Sequence, residues 1–272
     1  MQFADLSLAR RLERAEAQGN IDFVEARATV SPESGAGWME VAGTRAMFDG
    51  AASPLTQTFC LGIFHPVVAD DIARLERFFQ ERRAPVFHEV SPLADASTWA
   101  LLNARGYQPM EFTSVMHRPI TDIAAAASSG NAGLAIRMIG GDEHEVWANT
   151  AAEGWGESPE LHQFMLDLSK VSARRKNAAS FLATLDGRPV ATGGLSICEG
   201  VALMAGASTV PAGRKQGAQL ALLDARLSYA GKQGCDIAMM CALPGSASQR
   251  NAERQGFRIA YTRIKWRLPT TR

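Results

Sequence analysis

The sequence predicts a mixed α/β fold (an α+β arrangement with mixed sheets) in two domains. Three observations lead to this prediction. The chain has 272 residues, which is about twice the length of a typical domain. Helical and strand patterns alternate along it. The same order of elements also occurs twice, with Gly106-Tyr107 and Gly256-Phe257 at equivalent places 150 residues apart.

The composition excludes several classes of protein. Lys and Arg total 28 and so do Asp and Glu, which gives a formal net charge of zero. Nucleic acids and acidic membrane surfaces select proteins with a basic surplus, so we expect neither as a partner. The N-terminus lacks the apolar core of a secretory signal, and no apolar run approaches the ~18 residues of a membrane helix. The four cysteines, interpreted below as thiols of a reducing compartment, lead us to expect a cytoplasmic protein.

The cysteines and histidines point to neither disulfides nor a metal. Cys60, Cys198, Cys235 and Cys241 form no C-x-x-C pair, and we interpret them as buried thiols in a reducing compartment. The five histidines show no spacing typical of metal ligands, so no metal is expected. His88, in the apolar run VFHEV, is interpreted as a core or strand-face histidine rather than a ligand.

Each half of the chain contains a helix, a buried strand, a loop, a short helix that ends at a glycine, and a final strand. In the first half the long helix is predicted over 70–82 and the buried strand over 85–90; the equivalents are 218–232 and 235–241. A glycine after a helix is a C-terminal cap signal. The segment between the halves is small, polar and unperiodic. We predict domains over 1–120 and 134–272, joined by a linker over 121–133.

The second half begins with further strands and helices. A short strand in LAIRMI precedes a helical stretch between Gly141 and Arg175. Two strands follow in FLATLDGRPVATGGLSI, joined by a tight turn at Asp186-Gly187, and VALMAGASTV forms the next strand. That strand leads through the loop TVPAGRKQGAQ into the long helix.

The loop TVPAGRKQGAQ has the features of an anion site. Unbonded N–H groups at a helix N-terminus, together with the helix dipole, attract phosphate. Gly217 would let a phosphate approach the backbone closely, and Arg214 and Lys215 add positive charge. The alternative is an ordinary surface loop with a glycine at the helix start.

The same loop resembles the pattern V-x-P-x-x-R-x-x-G-x-G/A of the GNAT superfamily, the acyl-CoA-dependent N-acetyltransferases. Pro211, Arg214 and Gly217 match the pattern, and Gln219 departs from its small final residue. The resemblance extends over the second half in element order and, more weakly, over the first. It implies two tandem GNAT-like domains, each a mostly antiparallel sheet flanked by helices, with acetyl-CoA as co-substrate.

The first half lacks this loop and is expected to be degenerate. Its equivalent segment, GIFHPVVADDIARLERFF, has no R-x-x-G. Asp70 and Asp71 stand at the helix start, where they would repel phosphates. We expect the first domain not to bind CoA in this way and to act as a scaffold that shapes the substrate cleft.

The resemblance also implies which residues hold the co-substrate. A strand edge over 207–210 would pair with the pantetheine arm, and the N–H near Ala207 would face the thioester oxygen. Asn251 and Arg254 would flank the cofactor tail, unless they are simply surface residues of a helix. The predicted cofactor-binding residues are Ala207, Thr209, Val210, Arg214, Lys215, Gln216, Gly217, Ala218, Gln219, Asn251 and Arg254.

The acid–base residues are less clearly marked. Many family members carry a tyrosine four residues before the glycine of the closing G-F, and Ala252 stands there. Ser248 is a candidate for supplying a hydroxyl, and a helix cap is the alternative. Glu153 is a candidate for holding or deprotonating the amine, and a solvated loop acid is the alternative. We expect Tyr229 to serve packing, while the direction of Tyr261 stays open.

The resemblance implies an N-acetyltransferase that transfers an acetyl group directly to the amine of a small molecule or of an amino terminus in a ternary complex. Two other functions stay open. One is a CoA-binding sensor without turnover, and the other is an interaction protein made of two degenerate domains. The expected oligomeric state is a monomer or a homodimer.

Overall fold

The computed structural model describes residues 4–120, 131–156 and 159–269. The helices are α1 (Leu6–Val30), α2 (Ala69–Gln80), α3 (Ala96–Ala104), α4 (His144–Glu153), α5 (Pro159–Ser172), α6 (Ala218–Lys232) and α7 (Ala247–Arg254). The strands are β1 (Gly37–Val41), β2 (Thr44–Phe48), β3 (Gln57–Phe59), β4 (Phe87–Val90), β5 (Gln108–Pro119), β6 (Leu134–Met138), β7 (Ala178–Leu185), β8 (Arg188–Cys198), β9 (Val201–Thr209), β10 (Ile237–Ala242) and β11 (Arg258–Arg267). The mixed α/β class predicted from the sequence is confirmed.

The chain forms two compact units. Residues 1–118 and 239–272 make up unit 1, and residues 119–238 make up unit 2. The C-terminal 34 residues of the chain therefore belong with its N-terminal part. The domains over 1–120 and 134–272 that were predicted from the sequence repeat stay predictions. Of the predicted linker 121–133, residues 121–130 lie outside the described residues.

Unit 1 is a mixed sheet with helices packed against it. Its strands follow the order β1-β2-β3-β4-β11-β5-β10, in which β3 and β4 are parallel. Helix α2 packs Ile72, Leu75 and Phe79 in a hydrophobic core that also contains Val90 of β4 and Trp266 of β11. Burial of these large apolar side chains is the main source of stability for the unit.

The C-terminal strand β11 lies between two strands of the first half. It pairs antiparallel with β4, from Ile264 opposite Val90, and with β5, from Arg258 opposite His117. Strands β4 and β5 are consecutive strands of the first half, yet β11 separates them. Unit 1 is thus completed by a strand that the chain supplies about 150 residues after the equivalent strand β5.

The closing elements of the two halves correspond, in the order long helix, strand, short helix and final strand. Helix α3 ends before Gly106, whose φ is 78°, and helix α7 ends before Gly256, whose φ is 80°. Both glycines adopt the left-handed conformation that a helix C-terminus favours. The strands β5 and β11 begin at equivalent positions, at Gln108 and Arg258. The internal similarity read from the sequence therefore has a structural counterpart.

Unit 2 contains an antiparallel meander in the order β9-β8-β7-β6. The turn between β7 and β8 places Asp186 at φ 48° and Gly187 at φ 78°. Two successive residues with positive φ make a turn whose twist matches that of a hairpin. The turn predicted at Asp186-Gly187 is therefore present.

The interpretation of His88 as a core residue agrees with the structure. Its ring is fully buried, Nδ1 lies 2.7 Å from Thr58 Oγ1, and Nε2 lies 2.9 Å from the Tyr107 hydroxyl. The Tyr107 hydroxyl in turn donates to Glu76 at 3.0 Å. Because the Tyr107 hydroxyl proton is used on Glu76, its oxygen accepts from Nε2–H of a neutral imidazole, and Nδ1 accepts from Thr58. Burial lowers the pKa of His88 to about 3.

The cysteines are free thiols, but their surroundings differ from the prediction. Cys60 and Cys235 are buried, whereas Cys198 and Cys241 are half-buried. Cys241 Sγ donates to Glu16 at 3.1 Å rather than lying among apolar groups. Within the described ranges no helix is long and apolar enough to cross a membrane, and no group of three or more His, Cys, Asp or Glu side chains could hold a metal ion.

Candidate functional site

The loop between β9 and α6 has a defined shape. Val210 donates its N–H to the Val190 carbonyl at 2.9 Å, and a short 3-10 turn follows over Pro211–Gly213. Lys215 then adopts a φ of 64°, and Gly217 adopts a φ of 81° as the N-cap of α6. These two left-handed residues turn the chain sharply into the helix.

The N-terminus of α6 is open. Gly217 has no side chain to cap it, and the first N–H groups of a helix have no partner within the helix. A Cβ built on Gly217 would meet no atom within 4 Å, so the space beside this residue is open. The helix dipole adds a partial positive charge at this end. Together these features suit an anion.

Two polar side chains of the loop make hydrogen bonds within unit 2. Arg214 is exposed and donates from Nη2 to the Gly154 carbonyl at 3.2 Å. Gln216 accepts from Asn131 at 3.4 Å. Lys215 is exposed. The two cations therefore stand beside the open helix end, where they add positive charge to it.

The contacts of Gln219 account for a long side chain at a position where the family pattern has a small residue. Its side-chain nitrogen donates to the Ser208 carbonyl at 2.7 Å, to Thr209 Oγ1 at 2.9 Å and to the Thr192 carbonyl at 3.3 Å. The long amide thus ties the first turn of α6 to the ends of β8 and β9. The side chain of Gln219 therefore stabilises the loop. Its backbone N–H is one of the N–H groups at the helix N-terminus that have no partner within the helix.

Strand β9 carries a bulge just before the loop. Its register runs from Ala205 opposite Gly194 to Ser208 opposite Thr192, so that Gly206 and Ala207 have no partner on β8. Both residues are exposed, and Gly206 has a φ of 64°. Bulges of this kind redirect the backbone and occur often beside active sites. Ala207, the predicted oxyanion donor, lies in this bulge.

The end of α4 lies directly against the end of β9. The Ser208 hydroxyl donates to the Ala151 carbonyl at 2.7 Å. A Cβ on Gly154 would come within 2.0 Å of Ser208 Oγ, so only glycine fits there. Glu153, the last residue of α4, and Trp155 are both exposed next to this contact. The fold of unit 2 therefore brings Glu153 to the neighbourhood of the bulge and the loop.

The remaining predicted site residues lie on α7, in unit 1. Ser248, Asn251 and Arg254 are exposed there, and Arg254 donates to Asn251 at 3.3 Å. The alternative interpretation of Ser248 as the helix cap is wrong, because Ser246 accepts from the Gln249 N–H in that role. Ala252, at the position of the family's tyrosine, is buried.

Of the other two tyrosines, Tyr229 is half-buried and Tyr261 is buried. Tyr229 packs edge-on against Phe181 with a ring separation of 5.7 Å, as expected for a packing role. Tyr261 is buried, and its hydroxyl donates to Glu13 at 2.9 Å. The side chain of Tyr261, whose direction the sequence left open, therefore points into the interior of unit 1.

Sequence reasoning missed three residues that support the bulge, namely Thr192, Gly193 and Arg226. Arg226 is buried beneath β8 and β9, and a Cβ on Gly193 would come within 2.9 Å of its guanidinium. The signal in the sequence was the pair Gly193-Gly194 inside a strand. A glycine in a strand often marks a bulge or a close approach of another group.

Comparison with known proteins finds a family-model match over part of the chain and a shared fold over most of it. Residues 135–247 match the family model of the GNAT acetyltransferase domain. No curated protein matches the sequence significantly. A GCN5-related N-acetyltransferase from Kribbella flavida is similar in structure, with a TM-score of 0.64 at 18% identity over 92% of this chain and 96% of that one.

Two further solved structures support the same fold. A tandem GNAT protein from the clavulanic acid biosynthesis pathway gives a TM-score of 0.59 at 15% identity, over 84% of this chain and 79% of that one. A GCN5-related N-acetyltransferase from Sphaerobacter thermophilus gives 0.55 at 16% identity, over 78% and 71%. The chain thus has the fold of GNAT proteins, and its residues 135–247 are similar to the GNAT acetyltransferase domain.

Proposed function

We propose that the protein is an N-acetyltransferase that transfers an acetyl group from acetyl-CoA to the amine of a small molecule or of an amino terminus. The observation that carries this proposal is the N-terminus of α6, where left-handed Gly217 is the N-cap, provides no capping side chain and has open space around its Cβ position. Its N–H groups would hold the pyrophosphate, with Arg214 and Lys215 beside it. The GNAT domain match over the same segment supports this assignment.

The reaction would proceed by direct attack. The amine nitrogen bonds to the thioester carbon, the C–S bond breaks, and CoA leaves as a thiolate that takes up a proton. The N–H of Ala207 in the bulge would stabilise the negative charge on the thioester oxygen. Glu153 would accept the proton that the amine loses.

The co-substrate site can be tested by titrating acetyl-CoA into the protein in a calorimeter. Gly217→Trp fills the space in front of α6 and should abolish binding. Gly234→Trp is the matched control, because Gly234 has the same φ of 81° and equally open space at the opposite end of α6. Absence of binding to the wild-type protein, or equal binding by both variants, would contradict the proposed site.

Turnover can be tested by following the release of free CoA thiol with a panel of amines. Glu153→Gln should lower kcat by about 10²–10⁴-fold if Glu153 is the general base. Glu160→Gln, an exposed acid in the first turn of α5, serves as the control. Full activity of Glu153→Gln would remove Glu153 from the mechanism.

A second function is favoured by one observation. Ala252 is buried where the family's tyrosine hydroxyl is expected, which fits a protein that senses acyl-CoA without turnover. Binding of acetyl-CoA without thiol release across the amine panel would favour this sensor over the enzyme.

A further inference from the structure

Two successive peptide groups form the bulge of β9, and each carbonyl accepts a hydrogen bond from a buried side chain. The Gly206 carbonyl accepts from Thr192 Oγ1 at 3.1 Å, and Thr192 is fully buried. The Ala205 carbonyl accepts from Arg226 Nη1 at 3.4 Å. The Gly206 carbonyl belongs to the same peptide group as the Ala207 N–H, so Thr192 acts on that N–H from its far side.

Arg226 is an unusual residue for this place. Only 4% of it is exposed, and its guanidinium also bonds to the Gly194 carbonyl at 3.1 Å and to the Leu222 carbonyl at 3.1 Å. In the described part of the chain, all its hydrogen bonds end on backbone carbonyls. Burial lowers its pKa to about 10, so it keeps its charge at neutral pH.

The room for this cation is provided by a glycine. Gly193 lies between Thr192 and Gly194 on β8, and a Cβ there would come within 2.9 Å of the Arg226 guanidinium. A buried charge without a carboxylate is costly unless it performs a task or is well solvated by dipoles. The carbonyls of Gly194 and Ala205, together with one carbonyl of α6, supply those dipoles, and the first two tie the position of the cation to the shape of the bulge.

We propose that Thr192 and Arg226 are positioning residues that hold the 205–206 and 206–207 peptide groups of the bulge and so direct and polarise the Ala207 N–H toward the thioester oxygen. This inference rests on the proposed acetyl transfer. A hydrogen bond to an amide carbonyl strengthens the donor at the other side of the same amide. A donor fixed in advance needs no reorganisation as charge develops on the oxygen.

The hydroxyl of Thr192 can be removed with almost no change in shape. Thr192→Val should lower kcat by about tenfold or more, below the 10²–10³ lost with a direct oxyanion donor, while the Kd for CoA stays near that of wild type. Thr192→Ser should restore most of kcat. Thr44→Val is the matched control, because Thr44 is equally buried and its hydroxyl has no hydrogen-bond partner among the described residues.

A spectroscopic readout separates positioning from general damage to the fold. The infrared carbonyl stretch of acetyl-CoA labelled with ¹³C at the acetyl carbonyl should fall on binding to wild type. It should return toward the value of free acetyl-CoA in Thr192→Val, but not in Thr192→Ser or Thr44→Val. Arg226→Lys, which keeps a charge but loses the planar donor fork, should show a partial return.

The outcomes distinguish this inference from the proposed function. Wild-type protein that fails to bind acetyl-CoA contradicts the acetyltransferase itself. Wild-type protein that binds and turns over, together with a carbonyl stretch unchanged in Thr192→Val, overturns only the positioning role. A loss of CoA affinity equal to the loss of kcat in Thr192→Val also overturns it, because that result indicates a structural role alone.

Discussion

At the scale of single residues, the most unusual group outside the candidate site is Glu13 of α1. Its carboxylate is buried in unit 1, accepts from the Tyr261 hydroxyl at 2.9 Å and lies 3.4 Å from Arg263. Burial raises its pKa from 4.5 to about 7, while the Arg263 charge lowers it and the neighbouring Glu16 and Glu89 raise it further. The folded protein therefore holds a proton here that the unfolded chain releases.

This shift gives a pH dependence with a definite sign. Between about pH 4.5 and about pH 7 the folded state binds more protons at Glu13 than the unfolded state does. The contribution of Glu13 to stability therefore falls as pH rises through this window. Glu13→Gln, which stays neutral, should show a smaller decrease of Tm across the window than wild type.

Thermal unfolding followed by circular dichroism at several pH values measures this difference. Glu33→Gln is the control, since Glu33 is exposed and should leave the pH profile unchanged. A Glu13→Gln profile parallel to that of wild type would show that Glu13 is ionised in the folded state throughout.

At the scale of elements, β11 is held in unit 1 by an ionic cluster as well as by its two neighbouring strands. Arg263 in the middle of β11 lies 2.7 Å from Glu16, 3.4 Å from Glu13 and 3.4 Å from Glu89. These acids come from α1 and β4, far away in the sequence. Arg263 is 1% exposed, so water cannot replace it as their partner.

Removing this cation should strongly destabilise the protein. Arg263→Ala leaves Glu13, Glu16 and Glu89 without their shared partner, and we expect a loss of about 3–5 kcal/mol in the free energy of unfolding. Arg267→Ala, at the exposed end of the same strand, should cost no more than about 1 kcal/mol. Urea unfolding measures both, and similar midpoints for the two variants would contradict a structural role for the cluster.

At the scale of the whole molecule, the position of β11 makes unit 1 depend on both ends of the chain. Strands β4 and β5 each pair with β11 rather than with one another. A fragment of residues 1–120 would therefore expose two unpaired strand edges and the side of a core that Trp266 covers. We expect this fragment to be insoluble or unfolded by itself.

Co-expression provides the test. Residues 134–272 supplied as a second polypeptide should make the first fragment soluble and should co-purify with it. A fragment 1–120 that alone gives a well-dispersed amide NMR spectrum would contradict this dependence and would support the sequence domain as an independent folding unit.

The sequence by itself determined the elements and the loop that carries the proposed chemistry. Helix α6 was predicted over 218–232, its observed extent, and the hairpin turn at Asp186-Gly187 followed from residues that tolerate positive φ. Gly217 was marked by its place before a helix. These features are local, because they depend on residues within one turn or a few positions of each other.

Only the tertiary structure decided the rest. The insertion of β11 between β4 and β5, the burial of Tyr261 against Glu13 and the contacts of Arg226 with the bulge join residues far apart in the chain. Local patterns specify which strands form but not which strands become neighbours. Nothing in the sequence indicated a role for Arg226, whose guanidinium is buried among backbone carbonyls where Gly193 leaves room for it.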